Sequence, residues 1–394
     1  MFSSAQVVLV ASVFLSLASV LAAHPRRAYG RHALNAYVVD WDVDASKVPY
    51  TSVDHIIYAF GIPDAHGNIG QFSGSTLSSV VNGAHKHNVG VSLAIGGWSG
   101  SIYFSNLVKS AGSRATFVKN LVNLVKHYDL NGLNIDWEYP ASQNGVACNT
   151  KSADDTAHLL TFLQELRSAL DQTFRKQHVI LTAATSLDPF NDRTWNPSTQ
   201  LPGFNNVLDQ VYIMAYDING NWNSITGPAA PLYEPGHGLP GSGASAVAAW
   251  HKAGIPLNKI VLGVPFYGWT TKTSHNGLYG SFSKTQIPGD QYDTKSRDCG
   301  AKVATYSGEF QWRSLAAQGV DQSRNGWQAH YDTKTQTAWA YNTHKQQLVT
   351  YDDARTCEAK AKYAKQHGLG GVLIWSLEMD DSHHTLLTSL QLVR

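Results

Sequence analysis

Charged residues are scarce in this sequence, and the two signs almost cancel. Asp, Glu, Lys and Arg make up 15% of the 394 residues, and 30 basic residues against 29 acidic ones give a formal net charge of +1. A chain without a basic excess has little attraction for a phosphate backbone or an anionic membrane surface. We therefore expect neither nucleic acid nor a membrane as a partner.

Cysteine is almost absent as well. Three cysteines allow at most one disulfide and leave at least one thiol free, which excludes a disulfide-rich scaffold. The spacing of cysteine and histidine matches no metal-site pattern, so we expect no metal ion. We also expect no organic cofactor. The three cysteines are Cys148, Cys299 and Cys357.

The N-terminus carries a long apolar run. Residues 7–23 (VVLVASVFLSLASVLAA) are short for a membrane span and end in small residues, with a Val20-Leu21-Ala22 cleavage pattern. This favours a signal peptide over residues 1–23 and hence a secreted, extracellular protein. A retained N-terminal anchor is the alternative interpretation.

Beyond residue 30, short apolar runs alternate with amphipathic stretches, which is typical of a parallel β/α fold. Eight is the strand number of a TIM (β/α)8 barrel, which is the fold we predict. Helical periodicity is clearest over 113–128 and 155–174. The eight candidate strands are 34–41, 55–60, 89–98, 130–139, 179–186, 208–217, 259–269 and 369–377.

Residues 270–350 break this alternation. Alternating side chains over 337–341 and 347–351 indicate hairpin strands. We interpret 270–350 as a small α+β insertion domain between strands 7 and 8 of the barrel. The barrel would then comprise residues 30–269 and 351–394.

The strongest functional signal is the strand NGLNIDWEYP at 131–140. Because side chains alternate along a strand, Asn134, Asp136 and Glu138 share the face that points into a barrel. Burying two carboxylates is costly unless they are used or paired, and barrels do their chemistry at the C-terminal ends of their strands. The pattern indicates a catalytic pair. A hydrogen-bonded rim of the barrel mouth is the structural alternative.

This strand resembles the D-x-x-D-x-D-x-E signature of glycoside hydrolase family 18, the chitinases. Three further segments are similar to family motifs, in the same order along the chain. The resemblance implies a TIM barrel with a chitinase insertion domain, and a substrate-assisted, retaining reaction without a metal. The three segments are AIGGW at 94–98, MAYD at 214–217 and the strand that contains Trp375.

The resemblance also implies roles for individual residues. Glu138 takes the place of the catalytic acid, with Asp136 orienting the substrate's acetamido group and Tyr216 donating a hydrogen bond to its carbonyl oxygen. Asn131 and Asn134 stand where the family has Asp, and Ala94 where it has Ser. We expect the amide of Asn134 to donate a hydrogen bond to Asp136. Substrate contacts are further predicted for Asn134, Asp217, Met214, Trp375, Tyr58, Trp98 and Trp269.

The aromatic members of this set have a second interpretation. The sequence contains 11 Trp and 18 Tyr, and flat aromatic faces suit sugar rings. Aromatic residues at strand ends, such as Trp98 and Trp269, can also close a barrel core.

The sequence is thus interpreted as a secreted, monomeric chitinase that hydrolyses β-1,4 linkages of N-acetylglucosamine polymers. Its partners would be chitin or chito-oligosaccharides. Two alternatives stay open: an endo-β-N-acetylglucosaminidase that trims N-glycans, and a chitin-binding lectin without turnover.

Overall fold

The structure, a computed structural model, describes residues 32–394, so the predicted signal peptide lies outside the described residues. The strands are β1 (Ala33–Val39), β2 (His55–Pro63), β3 (Ile69–Gly70), β4 (Gly90–Gly96), β5 (Gly132–Asp136), β6 (Ile180–Thr185), β7 (Gln210–Ile213), β8 (Ile260–Pro265), β9 (Tyr267–Lys272), β10 (Glu309–Gln311), β11 (Trp327–Asp332), β12 (Thr337–Asn342), β13 (Gln347–Tyr351) and β14 (Gly371–Trp375). The α-helices are α1 (Gly74–Lys86), α2 (Phe104–Val108), α3 (Ala111–His127), α4 (Asp155–Thr173), α5 (Phe204–Val207), α6 (Gly243–Lys252), α7 (Trp312–Ala317), α8 (Ala354–Gln366) and α9 (Thr385–Leu390).

Eight parallel strands close into a barrel. Their order is β1-β14-β8-β7-β6-β5-β4-β2, and β1 also pairs with β2, so this sheet has no free edge among the eight strands. The predicted TIM barrel is confirmed. A barrel of this size is filled by its own side chains, and its chemistry belongs at the C-terminal ends of the strands.

The alternation of the strands divides the core into two layers. A small cluster fills the barrel interior: Tyr37, Val39, Ile57, Ala59, Ala94, Tyr212, Val261 and Leu373. The opposite strand faces pack under the helices, where Phe117 of α3 stacks on Phe162 of α4 at 5.0 Å between ring centroids. This rigid packing fixes where each strand ends, and therefore where the polar residues of the barrel mouth lie.

The predicted seventh strand, 259–269, is two strands. β8 pairs with β7 and β14 as far as Pro265, and the chain then leaves the barrel at Phe266. The Phe266 N–H donates to the carbonyl of Trp375 at 2.8 Å, and its own carbonyl accepts from the N–H of Trp312 at 2.8 Å. Trp269 therefore belongs to β9 and to a different sheet, which corrects its placement at the end of a barrel strand.

The second sheet is antiparallel and contains five strands in the order β10-β9-β13-β12-β11. β12 and β13 lie where the sequence indicated hairpin strands. One face of the sheet packs on the main core through Phe310, Trp327, Val349 and Tyr351. The boundaries 30–269, 270–350 and 351–394 remain predictions, and β9 already starts before residue 270.

Candidate active site

Two acidic residues lie at the C-terminal end of β5. Asp136 is the last residue of the strand, and Glu138 follows two positions later; both are buried. The Glu138 backbone is held on both sides, since its N–H donates to Ser101 Oγ at 2.8 Å and its carbonyl accepts from Asn149 Nδ2 at 2.8 Å. Ser101 in turn donates to the carbonyl of Gly97 at 2.9 Å. These contacts fix the backbone from which the Glu138 side chain projects.

A glycine makes room for the end of β5. Gly96 ends β4 with a φ of +112°, and a Cβ atom there would lie 2.2 Å from the carbonyl oxygen of Asp136. The same carbonyl accepts the N–H of Gly97 at 2.8 Å. The glycine pair at 96–97 therefore serves close backbone approach next to the acids, as the lack of a Cβ permits.

Burial disfavours charge on both acids. It raises the pKa of Asp136 to about 7. It also raises the pKa of Glu138 well above its ordinary value, and the nearby carboxylate of Asp136 raises it further, followed by that of Asp217. Glu138 therefore holds its proton at neutral pH and can act as a general acid.

Tyr216 and Asp217 follow β7 on the neighbouring side of the mouth. Asp217 has a φ of +55°, and its Oδ1 accepts the Tyr267 hydroxyl at 2.6 Å and Trp269 Nε1 at 2.7 Å. Tyr216 has room for its ring because residue 263 is a glycine: a Cβ atom there would lie 2.8 Å from the ring. The structure thus brings both residues to the site of the acid pair: burial raises the pKa of Tyr216, and the charges of Asp136, Asp217 and Glu138 raise it further.

Two buried polar atoms of the pocket lack a partner within residues 32–394. They are Oδ1 of Asp136 and the hydroxyl of Tyr216. Buried polar groups are nearly always hydrogen-bonded, so such a pair marks a place where a ligand supplies the partners. A carboxylate acceptor beside a hydroxyl donor complements one amide group, with its N–H and its C=O.

Trp375 forms an aromatic surface beside these atoms. It is half-buried at the end of β14, stacks on Phe60 at 5.6 Å and meets Tyr37 edge-on at 4.9 Å between ring centroids. Met214 is partly buried and packs against the main core. The resulting surface is apolar, next to a strongly polar pair of acids.

Tyr58 is not part of this pocket. It lies on the outer face of β2, is fully buried and donates its hydroxyl to Asp40. The pairing of β2 with β4 shifts register between Ala59 and Gly61, and Phe60, not Tyr58, meets Trp375. A bulge of this kind re-aims side chains, and the alternation of the sequence does not reveal it.

Asn134 does not bond to Asp136 as expected. Its Nδ2 donates to Thr182 Oγ1 at 2.9 Å, and its Oδ1 accepts the Tyr37 hydroxyl at 2.8 Å. Thr182 belongs to the neighbouring strand β6, so the Asn134 amide stays in the barrel interior. Asn131 lies before β5, at the opposite end of the strand, where its Oδ1 accepts the Val91 N–H at 2.8 Å.

Three exposed tryptophans surround the mouth. Trp98 is 43% exposed and Trp222 54%, while Trp222 meets Trp269 edge-on at 5.4 Å. Trp41, after β1, is 67% exposed and stacks with Phe60 at 6.4 Å. Trp41 was not among the predicted substrate contacts, although its place at the end of the first candidate strand, 34–41, was a usable signal.

The cysteines resolve into one disulfide and one thiol. Cys148 is bonded to Cys299, and Cys357 is free and buried. Over residues 32–394 no cluster of three or more His, Cys, Asp or Glu side chains could hold a metal ion. None of the helices in this range combines the length and the apolar character that a membrane crossing requires.

A closed β/α barrel with paired acids at a strand end is typical of a glycoside hydrolase. Residues 34–380 match the model of the glycosyl hydrolases family 18, and the chain belongs to this family.

Known proteins similar to the chain span nearly its whole length. A chitinase-like effector of Moniliophthora roreri is 36% identical, and the alignment covers 96% of each chain. The crystal structure of a chitinase from Rhizomucor miehei is 45% identical with a TM-score of 0.88, and covers 92% of this chain and 100% of that one. A chitinase catalytic domain from Ostrinia furnacalis, a mutant in complex with (NAG)5, is 26% identical with a TM-score of 0.78, covering 92% and 96%.

Proposed function

We propose that the protein hydrolyses β-1,4 linkages between N-acetylglucosamine units of chitin by a retaining, substrate-assisted mechanism. The observation that carries this proposal is the acceptor and donor pair left open by Asp136 and Tyr216 beside the protonated Glu138. Only a sugar with an amide substituent makes full use of that pair. The (NAG)5 named with the Ostrinia furnacalis structure supports the same class of ligand.

The first step breaks the glycosidic bond. Glu138 gives its proton to the leaving oxygen while the substrate's acetamido carbonyl oxygen attacks the anomeric carbon, forming an oxazolinium ion. Asp136 accepts the acetamido N–H and stabilises the positive charge that develops, and Tyr216 donates to the carbonyl oxygen. The leaving sugar departs with the proton from Glu138.

The second step restores the enzyme. Glu138, now a carboxylate, takes a proton from water, and the water oxygen attacks the anomeric carbon from the face that the leaving sugar vacated. The acetamido carbonyl is released, and Glu138 is again protonated. Two inversions at the same carbon give net retention.

Sugar units beyond the cleaved one are assigned to the aromatic residues. Trp375, which packs on Phe60 and Tyr37, is assigned to the sugar at the cleaved bond, and Trp41, Trp98 and Trp269 to the units that follow along the mouth. Stacking suits a neutral polysaccharide, because it needs no charge on the ligand.

The test is the variant Glu138→Gln, which keeps the shape of the side chain but has no proton to give. We expect turnover of a chromogenic chito-oligosaccharide to fall by about 10²–10⁴-fold or more, with oligosaccharide binding in calorimetry largely kept. Glu358→Gln, at an exposed helix position, is the control and should match the wild type. Wild-type rates in Glu138→Gln would overturn the assignment.

A second candidate is a chitin-binding protein without turnover. The relative named a chitinase-like effector, and the Asn residues at 131 and 134, favour this alternative. It predicts that the wild type binds chito-oligosaccharides and hydrolyses none. The retained Glu138 favours the enzyme.

We further propose that the chain is secreted and acts as a monomer. Residues 1–23 supply the secretion signal, and the Cys148–Cys299 disulfide suits an oxidising compartment. Deleting residues 1–23 should keep the protein inside a secreting host. Light scattering of the purified protein should give the mass of one chain.

A further inference from the structure

Residues 289–308 leave the second sheet as a two-armed segment, here called the strap. At its base the Asp293 carboxylate accepts the N–H of Ser307 at 3.1 Å and that of Gly308 at 2.9 Å. Further out, Ser296 and Thr305 pair through two backbone hydrogen bonds of 3.0 and 2.9 Å. The base adjoins β10, on the side of the barrel where β8 ends and β9 begins.

The tip of the strap is fastened on the other side of the barrel. Cys299 is bonded to Cys148 in the segment after β5, and Asp298 Oδ2 accepts Trp98 Nε1, after β4, at 3.2 Å. In the closed order of eight strands, β5 lies three and β4 four strands away from β8. The strap therefore joins opposite sides of the mouth that holds the acid pair.

The strap buries little of its own surface. All residues from 294 to 305 are exposed, including Val303 at 69%. A segment that followed the barrel surface would bury one of its faces. The exposure fits a span that stands over the mouth and contacts the barrel at its tip.

We propose that the strap closes the substrate cleft from above, so that the enzyme takes free chain ends and short oligosaccharides in preference to internal stretches of a long chain. The inference rests on the proposed function and adds the form of its substrate. An open cleft can receive a polymer sideways, whereas a covalently closed one must be threaded from an end.

The disulfide is what keeps the strap closed. Without it, the tip would be held by the Trp98–Asp298 hydrogen bond, which is exposed and competes with water. Opening the cross-link also returns conformational freedom to a long exposed segment. The closed form should therefore give way to an open cleft.

The double variant Cys148→Ser/Cys299→Ser tests this on soluble glycol chitin. Viscosity reports internal cuts, and new reducing ends report all cuts. We expect the double variant to lose viscosity several-fold faster per reducing end than the wild type, with unchanged turnover of a short chromogenic chito-oligosaccharide. Cys357→Ser keeps the disulfide and should behave as the wild type.

Reducing the disulfide of the wild type gives a second test that needs no substitution. Dithiothreitol supplies two electrons, is oxidised to its cyclic disulfide and leaves Cys148 and Cys299 as thiols. The reduced wild type should match the double variant, whose own curves should not respond to the reductant. Replacing residues 297–304 by two glycines removes the tip and should have the same effect.

Equal viscosity loss per reducing end in the wild type, the reduced wild type and the tip deletion would overturn the strap proposal. Absence of any turnover of the short oligosaccharide by the wild type would instead overturn the proposed function. The two failures are therefore distinguishable.

Discussion

The pH profile of Asp136→Asn would expose the coupling between the two acids. Two residues of extended chain put the Cα atoms of Asp136 and Glu138 about 6.6 Å apart, which we take as the scale of the separation between their charges. Two negative charges at that distance repel by about 2.5 kcal/mol at an effective dielectric constant near 20. A tenfold change in an ionisation equilibrium corresponds to about 1.4 kcal/mol, so the coupling is large enough to measure.

The direction in which each limb of the pH profile moves follows from the role of each acid. In the proposed mechanism Asp136 must be ionised to accept the acetamido N–H, so its pKa, which burial raises to about 7, should set the acidic limb of kcat/KM. Glu138 must be protonated there, and its pKa, raised first by burial and then by the Asp136 charge, should set the basic limb. Asparagine cannot ionise. The acidic limb should therefore vanish, and the basic limb should move to lower pH because one cause of the raised Glu138 pKa is gone.

The assay is kcat/KM against pH for a chromogenic chito-oligosaccharide, on the residual activity of Asp136→Asn. Asp217→Asn is the matched control, since Asp217 raises the Glu138 pKa less than Asp136 does. It should keep the acidic limb and move the basic limb by a smaller amount. An Asp136→Asn profile with both limbs at their wild-type positions would show that the two acids are not coupled.

Three further variants probe the site and its support. Tyr216→Phe should lower kcat more than it raises KM, since the lost hydrogen bond strengthens as charge develops; equal effects on both would contradict this. Ser101→Ala leaves the buried N–H of Glu138 without an acceptor. It should lower the free energy of unfolding in urea titrations by about 1–3 kcal/mol and lower the activity; an unchanged stability would contradict this. Lys360→Met leaves the buried carboxylate of Asp352 without its cationic partner and should lower the free energy of unfolding by about 3–5 kcal/mol. The control Lys362→Met, at an exposed ion pair, should lower the free energy of unfolding by at most about 1 kcal/mol. Similar losses of stability for the two lysines would contradict the role of burial.

The barrel and the position of the acids were predictable because both follow from local periodicity. Apolar runs of strand length recur eight times, and alternation alone puts Asp136 and Glu138 on one face. Both observations depend on neighbours in sequence. The predicted fold is confirmed, and the acids lie at the expected strand end.

What the sequence could not show depends on partners distant in the chain. The partner of Asn134 is Thr182 on the next strand, and the hydroxyl that holds the Glu138 backbone comes from Ser101 in the loop after β4. The orientation of Phe60 follows from an irregular pairing of β2 with β4. The geometry of pairing between strands decides these side-chain partners and orientations, and it cannot be predicted from the periodicity of one strand.

In the proposed mechanism the substrate's own acetamido group attacks the anomeric carbon within this pocket. Proton NMR of the first products from chito-hexaose, recorded before mutarotation, tests it directly. We expect the β-anomer to form first, and cleavage to require an N-acetylated sugar on the glycone side of the cut. An early α-anomer, or efficient cleavage after a deacetylated unit, would contradict it.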